Sequence, residues 1–445
     1  MKFGGTSVRT PESRMQAALR VISAVEQGYR PVVVVSAIGR RGEPYSTDTL
    51  VDQLKQIDDS VVPDPREQDL LMACGEIMSS VVFAHTLKTL GHQAMALRGG
   101  QAGIRTDGVY GNARILGVNP LGLFEALKRG TIPVVCGFQG VWVQGGLPGA
   151  ELTTLGRGGS DTTAAALGAA LKADAVEIFT DVDGVKTADP DFVKDAPTLK
   201  RVTYDEVAEL AHLGAKVLHP RAAEIAMRFE VPLWVKNTFT GSSGTQVVAR
   251  SEFPGQRVTG VSHTGKLVHV QFDLNPIPEA SRELFHSKIY SMLAKYEINL
   301  YMIDLTKGGI GFAVEREQFP TVESLFDGLV LPLSGEKSDL YMIERGDRVS
   351  KSADTQKELL GSLGDPTVVK FGVTEGCTMV SLVGHDYMQQ SGVFLSVLEE
   401  LSAAKIPVMQ ISDSDFSLSC LIPESELRKS VQVLHHRFVD GNGPD

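Results

Sequence analysis

No basic cluster, no paired-cysteine motif and no apolar leader is found in this chain, and each absence removes a class of function. Its 43 Lys and Arg are outnumbered by 54 Asp and Glu, a net charge of −11, which predicts no nucleic-acid partner. Four cysteines only, Cys74, Cys136, Cys377 and Cys420, are scattered without CxxC or metal-ligand spacing. They predict reduced, buried thiols of a cytosolic protein and no metal site. Met1-Lys2-Phe3-Gly4-Gly5 is followed by no apolar h-region, so no signal peptide is expected. The stretch 130–150 lacks charge, yet its six glycines, two prolines and two glutamines exclude a membrane helix. The expectation is a soluble, cytoplasmic protein without a membrane partner. The GxxxxGK(S/T) loop is missing, as are the EF-hand spacing and its closing glutamate around the Asp-rich loop 181–189.

What is present is glycine at chosen places. The 445 residues exceed one ordinary core and imply two or three domains. Gly156-Arg157-Gly158-Gly159-Ser160-Asp161 runs into Thr162-Thr163-Ala164-Ala165-Ala166-Leu167-Gly168, which reads as a tightly packed helix. Backbone N–H groups at such a junction lack intrahelical partners and carry the positive end of the helix dipole, a ready anion site. Arg157 adds a fork suited to a carboxylate or phosphate, and Asp161 adds a fixed carboxylate. In isolation the same residues read as a glycine turn with Ser160 or Asp161 as N-cap. Lys2-Phe3-Gly4-Gly5-Thr6-Ser7 similarly joins a point charge to glycines that permit close backbone approach.

Between these loops the pattern is α/β. Thr10 as N-cap, Pro11 at N1, a Met15/Leu19/Ile22/Val25 stripe and Gly28 as stop predict the first helix. Pro31–Ser36, Pro133–Phe138 and Ala175–Thr180 are apolar strands without polar alternation, as in a parallel sheet buried on both faces. Ligands gather at the carboxyl ends of such strands, which places the loop 39–49 and the Thr180–Pro190 loop within reach of one. Leu70–Ala84 is apolar or small nearly all round, so its helix should be largely buried. Glu76, its single charge, then needs a partner, either a structural arginine or a ligand's ammonium. Helical segments over 202–228 break near Gly214, and the polar stretch 237–257 reads as the start of a linker.

The last third carries a repeat. Leu293, Ile298, Leu300 and Ile303 recur as Leu401, Ile406, Val408 and Ile411, each displaced by 108 positions. Ile310, Phe312 and Val314 map likewise onto Leu418, Cys420 and Ile422. With strands at 266–272 and 378–384, each copy reads strand, helix, strand, strand, helix in a small α+β domain. Residues 333–366 are charged, hold no long apolar strand, and read as a partly irregular connector.

Lys2–Ser7, Gly75-Glu76, Gly156–Asp161, Thr180–Pro190, Gly214–Pro220 and Leu434-His435-His436-Arg437-Phe438, taken in order over almost the whole chain, resemble the aspartate kinases of the amino-acid kinase superfamily. The resemblance implies an α/β fold: a three-layer sandwich with a mostly parallel central sheet, followed by two α+β ferredoxin-like ACT domains. It implies a catalytic domain at 1–250, a linker at 251–262, ACT domains at 263–345 and 371–440, and a connector at 346–370. It implies transfer of the γ-phosphoryl group of ATP, carried with Mg²⁺, to the side-chain carboxylate of L-aspartate. Lys2 and Asp161 would be catalytic. Ser36, Thr47, Glu76, Arg157, Gly158, Gly159 and Ser160 would bind the substrate. Lys2, Gly4, Gly5, Thr180, Asp181, Lys186 and Lys216 would hold the nucleotide. An allosteric amino acid would bind at Ile411, Ser412, Asp413 and Ser414, in a homodimer or larger homo-oligomer.

Three departures from the family pattern stand out. Family members usually have several residues before the lysine of KFGGTS, whereas Met1 alone precedes Lys2, which predicts a natural start further upstream. Asp189-Pro190-Asp191 stands where the family commonly has Asp-Pro-Arg, leaving Lys186 or Lys194 to compensate. Asp413-Ser414-Asp415 stands where a Thr-Ser-Glu signature is frequent, so lysine, threonine and meso-diaminopimelate all stay open as effectors. Two rival readings remain at this point: a glutamate, acetylglutamate or carbamate kinase on the same fold, and an inactive amino-acid sensor that keeps only its ACT domains.

Overall fold

The computed structural model describes residues 1–58, 61–143, 150–215, 217–250, 252, 258–334, 338–347, 366–385 and 392–440. They form two compact units, Met1–Pro190 with Lys194–Gly260, and Asp191–Val193 with Val261–Asp445.

The first unit opens with β1 (Lys2–Phe3), α1 (Pro11–Glu26), β2 (Val33–Val35), α2 (Thr47–Lys55), α3 (Pro65–Thr89) and β3 (Ala94–Leu97). β4 (Ile104–Thr106), β5 (Ile115–Val118), α4 (Leu121–Lys128), β6 (Ile132–Cys136), β7 (Gln139–Trp142) and β8 (Glu151–Thr154) follow. The unit continues with α5 (Gly159–Leu171), β9 (Val176–Thr180), β10 (Arg201–Thr203), α6 (Tyr204–His212), α7 (Pro220–Arg228), β11 (Leu233–Asn237) and β12 (Thr245–Val248). Its main sheet has the order β10-β12-β11-β9-β1-β2-β6-β3. Every neighbouring pair is parallel except β11 with β12. The two-residue β1 lies at the centre, Lys2 pairing with Val34 on one side and Ile178 on the other. The chain passes to β2 on one flank and returns to β9 on the opposite flank. Strand order therefore reverses at β1, a switch point at whose carboxyl end ligands gather in open α/β sheets.

Packing around this strand corrects three expectations. Phe3 stacks on Phe179 at 4.8 Å and on Phe83 at 5.5 Å. α1 has Thr10 as N-cap in a capping box, but it buries Ala17, Ala18 and Val21, not Met15 and Leu19, which are 38% and 46% exposed. Small side chains let the helix sit close, so the alanine face wins the contact. α3 is not buried all round either, since Leu70, Met78, Val81 and Val82 face outward. Among the described residues it is the one helix long and apolar enough to cross a membrane. Its opposite face, however, buries Asp69, Glu76, Ser79 and Ser80 within the unit. Cys74 lies on the exposed side, while Cys136, Cys377 and Cys420 are buried as expected.

Asp69 fastens α3 to a second sheet of order β5-β4-β7-β8. Its carboxylate accepts from the Thr154 N–H and hydroxyl, both at 2.7 Å, and from the Gly111 N–H at 3.0 Å. The polar stretch 237–257 proves to contain β12, which pairs with β10 and β11. Thr245 satisfies its hydroxyl internally, donating to the Leu199 carbonyl and accepting from the Val185 N–H, which is how a polar sequence enters the sheet.

The second unit contains β13 (Gly260–Asp273), α8 (Glu279–Lys295), β14 (Tyr301–Thr306), β15 (Gly309–Glu315), α9 (Phe319–Phe326), β16 (Val330–Ser334) and β17 (Ser338–Arg345). β18 (Thr367–Val383), α10 (Val393–Ala403), β19 (Gln410–Asp413), β20 (Ser417–Pro423) and α11 (Leu427–His435) complete it. The repeat is carried by whole elements: β15 matches β20, α9 matches α11 and α8 ends in register with α10. The first strands, β13 and β18, are longer than the sequence expectation. Phe272 sits among Phe285, Phe312, Phe326 and Phe371 in the core. Two contacts join a position of one copy to the same position of the other, 108 residues on: Gln410 Nε2 donates to the Met302 carbonyl, and Arg316 pairs with Glu424. The connector expected over 333–366 includes β17, which is antiparallel to β16 and parallel to β18. Tyr341, Met342 and Ile343 are buried consecutively there, and charged neighbours on both sides hid them in the sequence. Residues 348–365 of that stretch lie outside the described residues.

Candidate active site

At the carboxyl end of β1 the Lys2 ammonium lies 2.7 Å from Asp161 Oδ1, with both side chains 12% exposed. The second carboxylate oxygen accepts from the His219 N–H at 3.3 Å. Loops from β1 and β2 run side by side: Gly5 carries no Cβ because one would stand 2.5 Å from the Gly39 carbonyl oxygen. The Gly4 N–H donates to Phe179, and the Ser36 N–H donates to Phe3. These backbone bonds hold the loops after β1 and β2 at one end of the sheet.

α5 starts differently from the side-chain-capped alternative. Its N-cap is Gly158 in the left-handed region, φ 69 and ψ 9, and Ser160 and Asp161 fall inside the first turn. No side chain caps this end. Gly137, just after β6, is also constrained, since a Cβ there would meet Ser160 Oγ at 2.6 Å. Arg157 is exposed at the tip of the turn. Gly158, Gly159, Ser160 and Asp161 thus stand beside Lys2 at the strand ends, with the helix dipole pointing the same way.

Glu76 is 2% exposed. Its Oε1 accepts from the Ala37 N–H at 3.0 Å, and its Oε2 is buried with no hydrogen-bond partner. No ion pair to Glu76 occurs among the described residues, so the structural-arginine alternative is not realised. Burial pushes its pKa up to about 8, against which the Ala37 N–H pulls down. Gly75 allows this meeting: a Cβ there would stand 2.8 Å from Ala37 Cβ and 2.9 Å from the Tyr45 carbonyl. Thr47 begins α2, whose N-cap Ser46 accepts from the Thr49 N–H.

Thr180 closes β9, and its hydroxyl donates to Asp181. Asp181 pairs with Arg40 at 2.6 Å, tying the β9 loop to the β2 loop. Hydrogen bonds from Thr240 and Asn237 hold the Asp183 carboxyl below its usual range. Lys186 is held inside its own loop, donating to the Ala196 carbonyl at 3.1 Å, and is not drawn toward Lys2 by any described contact. Lys216 lies outside the described residues. Asp191 belongs to the second unit, where its carbonyl accepts from Arg428. In that unit Ile411, Ser412 and Asp413 lie on β19, and Ser414 closes the turn to β20, its hydroxyl accepting from the Phe416 and Ser417 N–H groups. A cavity of about 850 Å³ lies at the amino ends of the strands, lined by Met1, Val32, Lys172 and Glu177, and no candidate site residue lines it.

Residues 1–237 match the amino acid kinase family, and residues 372–436 match the ACT domain. Aspartokinase 1 of Bacillus subtilis (strain 168) is 36% identical over 444 residues, spanning 98% of this chain and 98% of that protein. This chain belongs to the aspartokinases. Family membership makes it a kinase, a phosphotransferase with a carboxyl group as acceptor. The aspartate kinase of Synechocystis superposes with a TM-score of 0.60 at 26% identity, over 98% of this chain and 97% of that one. E. coli aspartokinase III, crystallised with aspartate and ADP, shares the fold with a TM-score of 0.71 at 24% identity over 98% of both chains. Against this family fold, two contributors escaped the sequence reading. The Ala37 N–H carries no side-chain signal, and His219 reaches Asp161 through its main chain. Only the placement of α7 beside α5 reveals the second.

Proposed function

We propose that this aspartokinase phosphorylates L-aspartate with ATP at the carboxyl end of β1, and that the Lys2–Asp161 pair there carries the reading. An oxygen of the aspartate side-chain carboxylate attacks the γ-phosphorus, the bond to the β,γ-bridging oxygen breaks, and 4-phospho-L-aspartate and ADP leave. Lys2, oriented by Asp161, and the Gly4-Gly5 loop neutralise charge on the moving phosphoryl group. Glu76 receives the substrate ammonium on its bare oxygen, and Arg157 with the amides of Gly158–Ser160 takes a carboxylate. The nucleotide rests along Thr180 and Asp181. Among the described residues no three His, Cys, Asp or Glu side chains converge on one point. Mg²⁺ would come in on the nucleotide phosphates and supply charge neutralisation there.

The reaction opens the supply of aspartate-derived amino acids, lysine or diaminopimelate, threonine and methionine, in the cytoplasm. An end product binding the second unit feeds back on it, in a homodimer, with Ile411–Ser414 as the contact segment. That unit also holds a cavity of about 600 Å³ lined by His269, Asp273, Asn275, Thr306 and Lys370, a second seat to probe in the same titration. ADP release with Mg·ATP and L-aspartate, with hydroxylamine trapping the acyl phosphate, tests the reaction. Aspartate-dependent hydroxamate lost in Lys2→Ala and Asp161→Ala supports it. Turnover on glutamate instead would move the protein to another acceptor, and no turnover on either would leave an amino-acid sensor.

A further inference from the structure

The reading above gives no part to His219, the N-cap residue of α7. Four observations converge on it. Its N–H donates to the Asp161 oxygen that Lys2 does not use, so the carboxylate is held from both sides. Its ring fills the space over Gly158, where a Cβ would stand 2.1 Å from Cγ and Cδ2. Among the described residues its buried Nδ1 has no hydrogen-bond partner, and it does not cap its own helix. Arg221 Nη1 donates to the Leu155 carbonyl, fixing the first turn of α7 to the residue just ahead of the glycine turn. A simple filler at this point would be apolar, because burying a polar nitrogen without a partner is costly.

We propose that His219 is a positioning residue of the phosphoryl-transfer centre. Its main chain sets Asp161, its uncharged ring walls the Gly158 turn, and its Nδ1 accepts a hydrogen bond from a donor brought in with the amino-acid substrate. The inference rests on the function proposed above. The charged and titratable groups facing the ring are Asp161 from α5, Arg221 and Glu224 from α7 and His212 from α6. Burial outweighs the pull of Asp161 and holds the imidazole below the usual histidine range. Protonation in acid would set a second cation against Asp161, in competition with Lys2, and kcat should fall on that limb.

The test is steady-state kinetics with Mg·ATP and L-aspartate across pH, alongside thermal melting of each variant. His219→Ala should lower kcat roughly ten- to a hundredfold and raise aspartate KM several-fold with ATP KM within about twofold, and should lose the acid limb. His219→Asn returns a polar group near Nδ1 and should recover most of the lost kcat. Gly158→Ala should be nearly inactive alone and regain activity in combination with His219→Ala, which vacates the ring. Wild-type kcat and an intact acid limb in His219→Ala overturn the proposal. So does a loss that follows melting temperature alone, with Asn no better than Ala. Absence of aspartate-dependent turnover in the wild type would bring down the proposed function itself, whereas variants matching an active wild type remove only the part given to His219.

Discussion

Two turns of α3 present the same problem and answer it in opposite ways. Asp69 and Glu76 are both buried carboxylates on one helix, 0% and 2% exposed. Asp69 is met by three donors from two other segments. Glu76 is met by one, and among the described residues its second oxygen has no hydrogen-bond partner. Burying a charge is tolerated when every lone pair is answered, and Asp69 meets that condition as a structural tie. Glu76 does not, and the deficit is what a substrate cation can fill. The difference separates a carboxylate that ties the fold together from one that keeps an oxygen unanswered, without any appeal to its position in the sequence.

Breaking the satisfied member should have the largest effect. Asp69→Ala strips the Gly111 and Thr154 donors, about 1–3 kcal/mol for each one left buried and bare. Chemical denaturation should register a loss of several kcal/mol, and a near-neutral result would mean that the second sheet is held by other means. Glu76→Gln should do the reverse. Stability should hold or rise, while aspartate KM rises ten- to a hundredfold, about 1.5–3 kcal/mol for a lost charged hydrogen bond. An unchanged KM would place the substrate ammonium elsewhere.

The pH dependence sharpens the same contrast. Burial pushes the folded Glu76 carboxyl up to about 8, above its ordinary value of 4.5. The folded protein therefore keeps a proton that the unfolded chain gives up within that interval. The contribution of Glu76 to stability is full below the unfolded value and is lost as pH rises, by about 1.4 kcal/mol per pH unit until the folded value is passed. Unfolding measured at several pH values in wild type and Glu76→Gln should diverge with that sign, and parallel curves would mean that Glu76 ionises normally. The smallest effect is expected between the two carboxylates. Gly75→Ala gains about 1 kcal/mol of helix propensity and spends it on the collision with Ala37 and the Tyr45 carbonyl. Net stability should fall by about 2 kcal/mol or less, since neither contact is the far end of a flexible side chain, with aspartate KM rising as Ala37 is pushed off Glu76.

Much of the fold was legible because its signals are local. The glycine turns and the uninterrupted valine strands announce themselves within a few residues, and the repeat shows as a constant offset of 108 positions between short apolar patterns. Strand order is not local, and nothing near Lys2 says that β9, some 175 residues later, will lie beside it. The same limit explains the site. Glu76 could be singled out from its apolar surroundings, yet that its one donor is the Ala37 N–H depended on which loop packed over Gly75. β12 and β17 were missed for the opposite reason: their burial comes from partners distant in sequence, while their own flanks are polar. α1 was misread because a stripe of large side chains outweighs alanine in any periodicity, although alanine permits the closer approach.

The two contacts between matching positions of the repeat carry one more consequence. Where two identical subunits meet about a twofold axis, a residue on that axis must face its own copy, and arginine would face arginine. Joining both copies in one chain lifts that restriction. The position occupied by Arg316 in the first copy is Glu424 in the second, and the two form an ion pair where identical residues would repel. Duplication within a single gene thus lets each half evolve as the complement of the other, and opens the way for the two halves to recognise different things.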